Sequence, residues 1–286
     1  MGRVEGKVVF ITGAARGQGR SHAIRLAQEG ADIIGVDICA DIATNSYGMA
    51  TREDLDETVR LVEKEGRRMI ASVADVRDPQ ALKDAVAAGV SALGRLDSVV
   101  AQAGICPMGT DDPEAFLDAV TVDLNGVINA VQAAMPHLSK GASIVATGSL
   151  AGLVQGSTDN PDNGAGGLGY SWAKRAVASF VHDLSIVLGP KGMRANAVHP
   201  TNCNTDMLNS DIMYKIFRPD LDKPTRDDAL VAFPAMTNMG VPYVEPQDIS
   251  DMVLFLLSDE SRYVTGMQMR VDAGAYTLRR PQAPAF

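Results

Sequence analysis

The chain is short of cysteine, of aromatic side chains and of positive charge, and each shortage closes off a class of function. Only three of its 286 residues are cysteine (Cys39, Cys106 and Cys203). The number is odd and no Cys-x-x-Cys pair occurs, which argues against a disulfide framework and against a structural zinc site. Unpaired thiols of this kind point to a reducing, cytoplasmic compartment. The four histidines (His22, His137, His182 and His199) show no metal-ligand spacing, so no metal site is expected. The formal net charge is −9 and the pI is near 4.9. A chain so acidic lacks the basic face that nucleic acid or an anionic membrane surface demands. No apolar run approaches the roughly eighteen residues of a membrane span. The first apolar run, 8–11, is too short for a secretory signal and leads straight into a glycine-rich turn. The opening Met-Gly-Arg-Val-Glu-Gly lacks the Ser/Thr of a myristoylation site.

What remains is an ordinary globular composition, 46% apolar and 21% charged. Short apolar, β-branched runs alternate with segments of helical period. Strands are expected at 7–12, 31–37, 70–75, 98–101, 143–147, 194–198 and 267–271. Helices are expected at 20–28, 78–93, 113–138, 171–188 and 246–257. Strands that are apolar on both faces and separated by helices call for a parallel sheet covered on both sides. No hairpin signal and no internal repeat interrupts the alternation. Three stretches break the rhythm: a long loop at 39–54, a stretch with five glycines at 156–169, and 201–245, which is rich in Met, Phe and Pro. None resembles an interdomain linker, so one domain over 1–286 with insertions is expected.

Thr12-Gly13-Ala14-Ala15-Arg16-Gly17-Gln18-Gly19 stands between the first strand and a helix. Glycines allow a sharp turn and close approach to a pyrophosphate, and the helix N-terminus offers free N–H groups. Asp37 ends the second strand eighteen residues after Gly19. A carboxylate there accepts hydrogen bonds from ribose hydroxyls and repels a 2′-phosphate, which favours NAD over NADP. Arg16 pulls the other way, because it could meet that phosphate. Asp75-Val76, at the end of the third strand, could read an adenine edge.

Tyr170 and Lys174 are four residues apart, on one face of a helix. A cation about 4 Å from a phenol, at an effective dielectric of about 20, favours the phenolate by up to roughly 4 kcal/mol before desolvation. That would lower the phenol pKa by as much as about three units, toward a working base. Ser149 follows the fifth strand, at the carboxyl end where ligands bind in parallel α/β folds. Asn125, beside Gly126 in a helix, is locally unfavourable and could hold a water.

In this order the motifs strongly resemble the short-chain dehydrogenase/reductase superfamily across nearly the whole chain. Ala101-Gln102-Ala103-Gly104 and His199-Pro200-Thr201 extend the match, with Gln102 in place of the usual Asn and a longer Ser149–Tyr170 interval. The resemblance implies a single Rossmann-type, doubly wound parallel sheet of about seven strands with helices on both faces, assembled as a homotetramer. It implies a catalytic group of Asn125, Ser149, Tyr170 and Lys174. Ser149 would orient the substrate oxygen, Tyr170 would exchange its proton, Lys174 would lower the phenol pKa and hold the nicotinamide ribose, and Asn125 would carry a relay water. Cofactor contacts are expected at Gly13, Arg16, Gly17, Gln18, Gly19, Asp37, Ile38, Asp75, Val76, Ala103, Gly104, Tyr170, Lys174, Pro200, Thr201, Asn202 and Thr205.

The segments 2–23, 36–39, 198–201, 217–221 and 242–246 are similar to the mycofactocin-associated subgroup often labelled carveol dehydrogenases. That likeness implies a tightly held NAD under the 39–54 insertion, with mycofactocin as redox partner. In 201–245, Met207, Leu208, Met213, Tyr214, Phe217, Phe233, Met236 and Met239 suggest a lid over an apolar alcohol or ketone such as a terpenoid, although core packing or a subunit interface is expected to explain most of them. The rival readings are a 3-oxoacyl-carrier-protein reductase, which Asp37 and the acidic balance disfavour, and an NAD-bound regulatory protein with a vestigial site.

Overall fold

The computed structural model describes residues 2–278; residues 1 and 279–286, part of the expected domain, lie outside the described residues. In chain order the elements are β1 (Val8–Thr12), α1 (Gly17–Gln28), β2 (Asp32–Asp37), α2 (Arg52–Lys64), β3 (Met69–Val73), α3 (Pro79–Leu93), β4 (Ser98–Ala101), α4 (Pro113–Val120), α5 (Gly126–Ala134), β5 (Ser143–Thr147), α6 (Gly164–Leu188), β6 (Arg194–Pro200), α7 (Asp211–Phe217), α8 (Arg226–Leu230), α9 (Pro246–Leu257) and β7 (Gln268–Val271). All seven strands join one parallel sheet in the order β3-β2-β1-β4-β5-β6-β7. Helices cover both faces. On one side Phe10, Ile34 and Ile144 pack with Leu82, Val127 and Val181. On the other, Val9, Ile11 and Val145 pack with Leu26, Leu55 and Val253. Strand order reverses between β1 and β4, so the loops leaving their carboxyl ends diverge and open a cleft.

Four expectations about the elements change. The long helix expected at 113–138 is broken: a π-helical turn, Thr121–Asn125, separates α4 from α5, and the Gly126 N–H donates to Thr121 O. A Cβ on Gly126 would lie 2.6 Å from Val76 Cγ2, so the backbone is pressed against the loop after β3. Second, α6 begins at Gly164, inside the glycine-rich stretch expected to be loop. Its glycines serve close packing: a Cβ on Gly166 would lie 1.8 Å from Pro107 O, and one on Gly169 would lie 2.7 Å from Phe116 O. Third, 201–245 is no simple loop. It carries α7 and α8 and closes a small core of Leu208, Tyr214, Ala229 and Phe233. The 39–54 loop ends earlier than expected, because Thr51 caps α2 with a reciprocal bond to Asp54.

Candidate active site

The turn after β1 is shaped by contacts that only glycine allows. Gly13 has φ +66°, and a Cβ there would lie 2.9 Å from Ala103 Cα; a Cβ on Gly19 would lie 1.9 Å from Gly13 O. Thr12 Oγ1 accepts the N–H groups of Gln102 (3.0 Å) and Ala103 (3.1 Å), which pins the ends of β1 and β4 together. Beside this turn lies a cleft of about 880 Å³, counted out to its mouth. Gly13, Arg16, Gly17, Gln18, Gly19, Asp37, Ile38, Asp75, Val76, Ala103, Gly104 and Thr205 line it, which are the expected residues of the nucleotide side.

Asp37 is nearly buried, and it accepts the N–H of Ala15 at 3.0 Å and of Cys39 at 3.3 Å. Burial raises its carboxyl pKa, while the Ala15 and Cys39 N–H groups and the Arg16 cation pull it back. Arg16 is already engaged: it donates to Gly48 O at 2.5 Å and pairs with Asp206 at 3.1 Å. Its guanidinium therefore ties the loop after β2 to the loop after β6 across the cleft. The Asp75 carboxylate is held by Arg77 at 2.8 Å, which leaves it less free than expected to read an adenine.

A second cleft, of about 890 Å³, adjoins the first and shares Gln18, Gln102, Gly104, Thr205 and Met207 with it. Ser149, Tyr170, Lys174, Pro200, Thr201 and Asn202 line it. Lys174 Nζ is buried, donates to Thr147 O at 3.0 Å, and lies 5.6 Å from the Tyr170 ring centre. Ser149 is held by its backbone: His199 Nδ1 lies 3.2 Å from Ser149 N and 3.0 Å from Ser149 O. A Cβ on Gly148 would strike that ring at 2.3 Å. Gln102 also finds work here. Its Oε1 accepts the Thr147 hydroxyl, and His22 Nε2 lies 3.1 Å away. Burial holds His22 neutral, with its pKa pushed down to about 4.

Asn125 does not reach the site. It is exposed and lines neither cleft. The π turn instead buries Asp123, whose Oδ1 accepts the Ile105 N–H at 2.8 Å and whose Oδ2 lies 3.7 Å from Lys174 Nζ. A sequence signal existed: Ala119, Asp123 and Val127 share one buried helical face, and a carboxylate on an apolar face asks for a partner. The expected lowering of the Tyr170 pKa is also absent. Burial raises the phenol well above its ordinary value, helped by Cys106 and Asp123, against the pull of the Ser149 hydrogen bond.

Buried polar atoms fit a dinucleotide. Gln18 Oε1 and Asn202 Nδ2 are buried without a hydrogen-bond partner, and both residues line the second cleft. Of the candidate lid residues, Met207, Leu208, Met213 and Met236 line that cleft. Tyr214 and Phe233 belong to the small core with Phe217 packed on it, and Met239 is exposed. Tyr47, Met49 and Ile42, from the loop after β2, line the first cleft, and nothing in their spacing announced it. No group of three His, Cys, Asp or Glu among the described residues is arranged to hold a metal ion. Among them, too, no helix is long and apolar enough to cross a membrane.

A family model described as enoyl-(acyl carrier protein) reductase matches residues 13–276. A putative short-chain type dehydrogenase/reductase of Mycolicibacterium smegmatis is 49% identical over 96% of this chain and 98% of its own length. The (−)-trans-carveol dehydrogenase of Rhodococcus erythropolis is 43% identical over 96% and 99%. The crystal structure of carveol dehydrogenase from Mycobacterium avium in complex with NAD superposes with a TM-score of 0.92 at 45% identity, covering 97% of this chain and all of that one. Strand order, glycine turn, the Tyr170–Lys174 pair and these relatives agree, and the chain belongs to the short-chain dehydrogenase/reductase family.

Proposed function

We propose that the protein is an NAD-dependent dehydrogenase that interconverts an apolar secondary alcohol, of the terpenoid type such as carveol, and its ketone. The observation that carries this reading is the junction of the two clefts. Asp37 lines one, and Ser149, Tyr170 and Lys174 stand together in the other. Bound NAD would supply the hydride acceptor. Gly13, Gly17 and Gly19 would bring the backbone to its pyrophosphate, and Asp37 would take the ribose hydroxyls. Because Gly48 and Asp206 hold Arg16, it is not free for a 2′-phosphate, which supports NAD over NADP. Ser149 would orient the substrate oxygen while Tyr170 takes the hydroxyl proton. The methionines and Leu208 give the substrate cleft an adaptable apolar wall, which supports a lid role for part of 201–245.

The NAD is held tightly, and its electrons leave through an external carrier such as mycofactocin. Arg16 supports this by joining Gly48 and Asp206 over the nucleotide cleft, and Tyr47 supports it by accepting the Cys106 N–H at 3.3 Å beneath the loop. The family resemblance suggests a homotetramer. Trp172, Ile186 and Val187, about half exposed or more on α6, offer apolar surface for it. The three free thiols are consistent with a reducing cytoplasm.

The test is carveol oxidation by the purified protein, with free NAD in one reaction and an artificial electron-accepting dye in another. Turnover with the dye alone supports a captive cofactor. Turnover with free NAD indicates an exchanging dehydrogenase. No turnover on carveol or on a wider panel of alcohols and ketones would sink the substrate reading.

A further inference from the structure

Asp123 is fully buried, yet its Oδ2 has no hydrogen-bond partner. The Lys174 ammonium lies 3.7 Å away, an ion contact too long for a hydrogen bond. That ammonium is also the cation nearest the Tyr170 ring, 5.6 Å from its centre. One buried cation thus lies near both a carboxylate and the phenol that must ionise.

We propose that Asp123 is a positioning residue for the proton chemistry: its carboxylate holds and neutralises the Lys174 ammonium, and so sets the pH at which Tyr170 gives up its proton. The inference rests on Tyr170 being the acid/base of the proposed reaction. The groups facing Asp123 come from three other segments: Lys174 and Tyr170 from α6, the Cys106 thiol and the Ile105 N–H from the loop after β4, and the Tyr47 phenol from the loop after β2. Lys174 is the cation among them. Burial pushes the Asp123 carboxyl up to about 6, against the pull of Lys174 and the Ile105 N–H. Above that pH the carboxylate is charged and cancels much of the field that Lys174 would exert on the phenol. Below it the carboxyl is neutral and the cation acts unopposed. The sign follows: a negative Asp123 raises the Tyr170 pKa, and an uncharged side chain of the same shape lowers it.

Asp123→Asn keeps the shape and removes the charge. The direct readout needs no substrate: the ultraviolet titration of tyrosinate in the NAD complex, with Tyr170→Phe in each background to isolate the share of Tyr170. In Asp123→Asn that titration is expected to fall by about one pH unit. The pH profile of kcat/KM for carveol oxidation should move the same way by the same amount. An unmoved tyrosine titration overturns the proposal. A shifted titration without turnover on carveol overturns the substrate reading and keeps this one. If Asp123→Asn does not fold, carbon NMR of aspartate-labelled protein reads the pair from the other side. The Asp123 carboxyl must titrate about one unit higher in Lys174→Met than in the unaltered chain, and equal titrations overturn the pairing.

Discussion

The two clefts that meet beside Gly104 are built by opposite means. The nucleotide cleft is made largely of backbone: a turn that needs glycine at 13 and 19, a strand end at Asp37, and N–H groups at the start of α1. The catalytic cleft is made of side chains gathered from distant segments: Ser149 after β5, Tyr170 and Lys174 on α6, and a methionine-lined wall from 207–236. Backbone constraints are local and leave a local signature in the sequence. Side-chain constellations depend on how segments pack, and they leave spacing at best. The two halves should also fail differently when altered, if one binds and the other reacts as proposed.

The sharpest separation is expected from Tyr170→Phe. It removes the hydroxyl proposed to exchange the substrate proton and leaves the nucleotide cleft intact. Loss of a general acid/base commonly costs between about 10² and 10⁴ in rate. We expect carveol turnover to fall by about 10³-fold while NAD affinity, read by calorimetry, stays within about twofold. Equal losses in both would show that the halves are not separable.

That division explains what was legible beforehand. The parallel order of strands followed from apolar runs alternating with helical segments, because the inner strands are covered on both faces. The glycine turn and Asp37 were readable because each sits at a strand end, where direction is fixed. Tyr170 and Lys174 were readable because four residues make one helical turn. Asn125 misled because a regular helix was assumed through 113–138. The π turn at Thr121–Asn125 adds a residue, turns Asn125 outward and carries Asp123 inward. The start of α6 misled for a related reason. Glycines that read as loop are there because Pro107, Thr110 and Phe116 crowd the helix. The resemblance pointed to the 39–54 loop but singled out no residue in it, and Asp206 had no signal at all, because what brings Tyr47 and Asp206 to the nucleotide cleft is the folding-back of two loops.

Asp37→Ser attacks the other half. Losing a charged hydrogen-bond acceptor costs about 1.5–3 kcal/mol, so NAD should bind roughly 10- to 100-fold more weakly. Repulsion of a 2′-phosphate falls with it, so the preference for NAD over NADP should narrow or reverse. The tyrosine titration should not move, since Asp37 lines the first cleft and Tyr170 the second. NAD affinity unchanged in this variant would mean that the carboxylate serves only to hold Ala15 and Cys39.

The smallest effect is expected where the halves are tied together. Asp206→Ala releases Arg16 from the loop after β6 while leaving its bond to Gly48 O. The Asp206 side chain is 64% exposed, so solvent screens the pair and it is worth at most about 1 kcal/mol. That corresponds to NAD leaving about two- to fivefold faster, measurable by stopped-flow displacement. Turnover with an electron-accepting dye should be unchanged, because a captive cofactor need not leave. Turnover with free NAD, if any, should rise, because release then limits it. The freed guanidinium should also make NADP a better ligand than before. An unaltered release rate, with NADP still excluded, would show that the loop after β2 holds the cofactor without help from the loop after β6.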